Sequence, residues 1–219
     1  PLCDWSSDVC SSDLGEVVLA PGESYSTPRV VAVYANDGID GASSRFHREL
    51  RARDSHPTNK KPRPVTLNVW EAVYFDHNLE KLSALAVVAA SIGVERFVLD
   101  DGWFGSRRND LSGLGDWVVS KDVWPDGLGP LVAKVKSLGL EFGLWFEGEM
   151  VNADSDLYRA HPDWILHAGG RVPPTFRNQQ VLDLTHEGAF AHVFEQASAL
   201  IGEHQIDYIK WDHNRVLTE

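Results

Sequence analysis

Between Val65 and Trp211, short apolar runs alternate with helical stripes, and this alternation constrains the fold more than any other feature of the chain. Strands joined through helices pair in parallel, and a parallel sheet needs helical cover. Val65–Trp70 reads as the first strand. Leu79, Leu82, Ala86 and Ala89 recur at helical spacing over Asn78–Ile92, and Gly93 follows as a stop. Phe97–Leu99 is a continuous apolar run, as in a strand buried on both faces. Leu128, Leu131, Val132, Val135 and Leu138 form the next stripe, ended by Gly139, and Glu141–Phe146 is the third strand. Phe190, Val193, Phe194, Ala197, Leu200 and Ile201 stripe a long helix, and Ile206–Trp211 is the fourth strand.

The pattern is α/β, and a doubly wound sheet would satisfy it too. Two features favour a (β/α)8 TIM barrel, of which about the first four βα units are present. The strands end in polar and aromatic clusters (Trp70-Glu71, Asp100-Asp101-Gly102-Trp103, Trp145 to Glu149, Lys210-Trp211-Asp212), and barrel enzymes build their sites from several strand ends. No glycine-rich fingerprint follows the first strand, as a nucleotide-binding sheet would usually show.

Upstream, residues 16–35 alternate apolar runs with Pro21-Gly22 and Thr27-Pro28, which predicts two strands, the tail of a larger β domain. Ile39 to about Arg53 reads as a charged helix, and 56–64 as a linker with three prolines. The expected organisation is therefore 15–55 for the remnant of that β domain and its helix, 56–64 for the linker, and 65–219 for the half-barrel. Residues 1–14 carry an echo, Ser6-Ser7-Asp8-Val9 then Ser11-Ser12-Asp13-Leu14, and match nothing downstream, so a foreign, disordered leader is expected there. Cys3 and Cys10 are the chain's two cysteines, a weak metal or redox pair at that spacing. The remainder is cysteine-free, which fits a reducing compartment and a cytoplasmic protein. A net charge of -12 disfavours nucleic acid and anionic membrane as partners.

Chemistry concentrates in Asp207–Arg215. On a strand, residues two apart share a face, so Lys210 and Asp212 point the same way. A carboxylate beside an ammonium stays ionised, as a glycosidase nucleophile must; the same pair also reads as a structural salt bridge. Eight tryptophans, most beside Gly, Asp or Pro, suit sugar rings as well as a core. Nine histidines are scattered without metal-ligand spacing, so no metal or cofactor is expected.

Seven motifs, in order, resemble the α-galactosidases of glycoside hydrolase family 36 over roughly residues 16–219. They are Asn68–Ala72 with Tyr74–Asp76, Leu99–Gly105, Gly113–Trp117, Phe142–Met150, His161–Trp164, Arg177–Gln179 and Tyr208–Arg215. The resemblance implies a β-sandwich, a (β/α)8 catalytic barrel, and hydrolysis of terminal α-galactosides of the raffinose or melibiose kind with retention. It implies Asp212 as nucleophile and Lys210 as its sugar-contacting neighbour. Asp100 and Asp101 would take the 4- and 6-hydroxyls and Trp145 would wall the pocket, with Arg177 and Asn214 also at the substrate. The acid/base is expected beyond Glu219, so this chain is expected to be inactive alone, and the full-length protein to associate with copies of itself. Gly148 stands where the family usually has Pro, Val69 where Ser or Thr is usual, and His213 where Met is common. Galactosyl transfer on the same scaffold, or a catalytically incomplete sugar-binding fragment, are the alternatives.

The residues leave three points open. Asp100 and Asp101 reach one ligand only if the strand breaks at Gly102; otherwise one of them caps the loop. Glu147 and Glu149 read as loop-stabilising carboxylates. Arg177 could bridge to Asp183 instead of serving a site.

Overall fold

The computed structural model describes residues 18–27, 29–53 and 61–217. The chain divides into two compact units between Pro62 and Arg63, inside the three-proline stretch. The leader with Cys3 and Cys10, and the first part of the linker, lie outside the described residues.

The first unit contains helix α1 (Gly38–Ala52), with Asp40 in its first turn and Arg51 in its last, each suited to the helix dipole. Arg45 reaches back to Asp37 at 2.9 Å. The two strands expected over 16–35 are not found among its described residues. Apolar alternation marks which side chains could face a core, but a strand also needs a neighbour for its backbone N–H and C=O groups. This unit offers none among the described residues, and Val30 is left 70 % exposed.

In the second unit the order is β1 (Thr66–Asn68), α2 (Trp70–Val73), α3 (Leu79–Ser91), β2 (Arg96–Leu99), α4 (Gly129–Ser137), β3 (Glu141–Phe146), β4 (Met150–Asn152), α5 (Asp156–Ala160), β5 (Gln179–Val181), α6 (Glu187–His204) and β6 (Tyr208–Trp211). Strands β1, β2, β3 and β6 form one parallel sheet in that order. Neighbours follow chain order without reversal, as in a barrel, whereas a doubly wound sheet turns back at a switch point. This is half of a (β/α)8 barrel. Trp70 opens α2 rather than closing β1, because Val69 turns to helical angles and the Asn68 side chain accepts from the Trp70 N–H at 3.3 Å.

The Asn78 side chain caps α3 by accepting from the Lys81 N–H at 3.1 Å. Leu82, Ala86 and Ala89 of α3 and Leu131, Val132 and Val135 of α4 join Phe97, Leu99, Phe142 and Leu144 in one buried cluster. Each large side chain fully buried there stabilises the fold by roughly 2 kcal/mol. Around the strand ends lies a group of aromatic rings, among them Trp103 to Phe146 at 5.4 Å and Phe104 to Trp117 at 4.6 Å. Trp103 also donates to the Trp145 carbonyl at 3.0 Å, tying the end of β2 to the end of β3. The core reading therefore holds for Trp103, Trp117 and Trp124. An antiparallel pair, β4 with β5, follows the third barrel strand and was not anticipated, since three-residue strands leave little periodicity to read.

Candidate active site

Parallel register sets Leu99 beside Leu144 and Trp145 beside Lys210. Alternation then puts Asp100, Trp145 and Lys210 on one face at one level, with Glu147 and Asp212 two residues further along. Lys210 Nζ meets Asp100 Oδ2 at 2.7 Å. The expected pairing of Lys210 with Asp212 is thus corrected, because the adjacent strand supplies a nearer carboxylate. Asp212 is held by neutral donors instead: Trp145 Nε1 and Asn214 Nδ2, both at 2.9 Å, and its own neighbour's N–H, that of His213, at 3.1 Å.

Strand β2 ends at Leu99, and Gly102, with φ at +112°, turns the chain at once. Both Asp100 and Asp101 therefore face the same cavity. Arg107 grips Asp101 with two nitrogens, Nη2 at 2.8 Å and Nε at 3.0 Å, both side chains being almost fully buried.

The opposite wall is a tight turn in which Arg177 and Asn178 are both left-handed, at φ +53° and +61°. Arg177 Nη1 donates to the Asn214 carbonyl at 3.3 Å. Asp183 accepts from Thr185 instead, so the Arg177–Asp183 bridge does not form. Glu147 accepts from the Asn214 N–H at 2.8 Å and from Gln179 at 3.2 Å; Glu149 accepts from Trp211 Nε1 at 2.7 Å. Both carboxylates stabilise loops, and Glu147 also faces the cavity. Trp211 packs closely over Gly148, where a Cβ would lie 2.5 Å from its ring, so the family's usual Pro there would need the ring to shift.

Asp100, Asp101, Trp145, Arg177, Lys210, Asp212 and Asn214 all line one cavity of about 330 Å³ at the C-terminal strand ends. Trp70, Phe75, Arg107, Glu147 and Gln179 line it too, and sequence reasoning did not assign them to substrate. Arg107 was missed because it sits in a polar run, Ser106-Arg107-Arg108-Asn109-Asp110, that reads as solvated loop.

Burial pushes the Asp101 carboxyl above its ordinary value, and the Arg107 contact only partly offsets this. Burial also pushes Asp212 up, but the donors from Trp145, Asn214 and His213, with the Lys210 charge, outweigh it and hold the carboxyl below the ordinary range. Glu147 is raised by burial, against the Asn214 contacts. His77, buried behind Gly102, is pushed down to about 4 by burial and the Arg108 charge, so it is neutral near pH 7. No group of three or more His, Cys, Asp or Glu among the described residues is arranged to hold a metal ion.

The arrangement can bind a polyhydroxylated ring, with carboxylates, an ammonium and two guanidiniums on its walls, among them the hydrogen-bonded carboxylate of Asp212. Residues 24–219 match the family described as Melibiase. An Escherichia coli α-galactosidase is 47 % identical over 205 residues, covering 94 % of this chain and 29 % of the relative. The α-galactosidase AgaA of Geobacillus stearothermophilus is 46 % identical over 203 residues, covering 92 % of this chain and 28 % of the relative. The crystal structure of an AgaA variant in complex with stachyose superposes with a TM-score of 0.84 at 46 % identity, over 92 % of this chain and 28 % of that one. This chain spans under a third of the length of these relatives. By sequence and fold, the chain belongs to the Melibiase family, and it is similar to α-galactosidases of glycoside hydrolase family 36.

Proposed function

We propose that the chain supplies the galactosyl-binding half and the nucleophile of a retaining exo-α-galactosidase. The observation that carries this is the state of Asp212: a carboxylate facing a cavity, held ionised by neutral donors, across from the Asp100–Lys210 pair. Galactose differs from glucose in its axial 4-hydroxyl, and adjacent carboxylates at Asp100 and Asp101 offer several acceptors for neighbouring hydroxyls. An Asp212 oxygen would bond to the anomeric carbon as that carbon's bond to the leaving oxygen breaks, and a second carboxyl would protonate the leaving oxygen. Water then cleaves the galactosyl ester and regenerates Asp212. AgaA variants have been solved with raffinose and with stachyose, which supports α-galactosyl oligosaccharides as the substrate class here.

Of the other carboxylates on the cavity wall, Asp100 is engaged by Lys210, Asp101 by Arg107 and Glu147 by Asn214 and Gln179, while Asp110 lies on the polar loop after β2. We propose that none of these serves as the acid/base, so that the 219-residue chain binds and does not turn over. We place the enzyme in the cytoplasm, on its cysteine-free sequence from Ser11 onward. At full length we propose an assembly of identical chains, which sedimentation would test. Proton NMR on raffinose cleavage by a full-length enzyme carrying this segment tests the mechanism. α-Galactose should appear first; initial release of the β-anomer would overturn it.

A further inference from the structure

We propose that Asn152 is a positioning residue that sets the Asp101 carboxylate through Arg107 and couples it to the turn carrying Arg177. The proposal rests on the reading of the cavity as a galactoside site. Asn152 ends β4 with its side chain fully buried, and it does not line the cavity. Both ends of its amide are used. Oδ1 accepts from Arg107 Nη1 at 3.0 Å and from the Leu114 N–H at 2.9 Å. Nδ2 donates to the Asn178 carbonyl at 2.7 Å, with a longer contact of 3.5 Å to the Asp110 carbonyl.

On one side, this amide helps hold a guanidinium whose Nε and Nη2 are already spent on Asp101. The guanidinium is planar, so Nη1 cannot swing away from Asn152 without turning the fork on Asp101 as well. The Ser112 carbonyl, at 3.2 Å from Nη1, is its other anchor. On the other side, Arg177 and Asn178 are consecutive non-glycine residues with positive φ, a conformation that surrounding contacts must hold. The Asn178 carbonyl bond to Asn152 is one such contact, and the pairing of Asn152 with Gln179 across β4 and β5 is another. One buried amide therefore joins the Asp101 wall to the Arg177 wall.

The residue type matters at both ends. Alanine would leave Arg107 Nη1, the Leu114 N–H and the Asn178 carbonyl short of a partner in the interior. Aspartate keeps the size but sets a carboxylate against the Asn178 carbonyl and offers Arg107 a second anion in competition with Asp101.

The test uses the 219-residue chain and 1-deoxygalactonojirimycin, an iminosugar solved bound to an AgaA variant. By titration calorimetry, Asn152→Ala and Asn152→Asp should each weaken binding by about 10- to 100-fold, the scale of a small misplacement in a preorganised site. In an Asp101→Asn background, Asn152→Ala should add less than about threefold, because a residue acting through Asp101 loses its lever there. Full additivity would overturn the proposal, since a merely structural residue costs the same in both backgrounds. If Asn152→Ala does not fold, Asn152→Asp carries the same cycle. No binding by the unmutated chain would defeat the galactoside reading and not the coupling. The coupling is then read from the Asp101 side-chain carboxyl carbon resonance, assigned with Asp101→Asn. That resonance should move in either Asn152 variant, and an unmoved one would overturn it.

Discussion

The ends of strands β2 and β6 each present a carboxylate to the same cavity, and the two are held in opposite ways. Asp101, after β2, is almost fully buried and gripped by a full cation, Arg107. Asp212, after β6, is half-buried and receives only neutral donors, two side-chain N–H groups and a backbone N–H. A carboxylate paired with a guanidinium is rigid and already neutralised, which suits orientation of hydroxyls. One held by dipoles keeps its charge for a carbon that becomes positive in the transition state. On the proposed function, position within one site separates a binder from a nucleophile made of the same side chain.

The comparison can be broken first at Asp212. Asp212→Asn in a full-length enzyme should lower turnover of an aryl α-galactoside by about 10⁴-fold or more, about 5 kcal/mol. Its stability to denaturant should change by less than about 1 kcal/mol, because the amide is nearly isosteric and no buried cation loses its partner. Retained turnover would remove Asp212 from the chemistry.

Asp101→Ala should do the reverse. It strands Arg107 as an uncompensated buried charge, a loss of about 3–5 kcal/mol of stability in urea unfolding. It should also lower kcat and raise KM together if its hydroxyl contacts tighten in the transition state. Unchanged stability would show that the two strand ends are not held differently at all.

A smaller effect is expected from Trp145→Phe, which keeps an aromatic wall and removes the 2.9 Å donor to Asp212. Turnover should fall by about 1–2 kcal/mol, and the Asp212 carboxyl should titrate higher than in the unmutated chain. An unmoved titration would assign the low pKa to Asn214 and His213 instead.

The smallest and most direct measurement is that titration itself, by carbon NMR of the two carboxyls. Asp212 should titrate below the ordinary 3.8 and Asp101 above it. Asp212 then contributes stability above pH 3.8 that is lost as pH falls through its lower folded value. Asp101 instead opposes folding while ionised, and that cost is relieved as pH falls from its raised value towards 3.8. Titration of both carboxyls on the same side of 3.8 would contradict the contrast drawn between them.

Much of this site could be read before folding. Periodicity placed the four barrel strands within a residue or two, apart from Trp70 at the end of the first, and alternation put Lys210 and Asp212 on one face. The same periodic logic failed over 16–35, where no described strand forms. A period of two says which side chains share a face; it does not supply a second strand for the backbone to bond to.

From the sequence alone came the residue types, the strand ends that bear them and the motifs that mark the family, because these depend on local spacing along one chain. The partners were decided only by tertiary structure. Lys210 meets Asp100, 110 residues away, because parallel register brings β2, β3 and β6 to one level. Arg107 leaves a polar loop for the interior because Asp101 and Asn152 converge on it from separate elements. Charge pairing depends on distance through space, and nothing in the spacing along the chain encodes that distance until the strands are side by side.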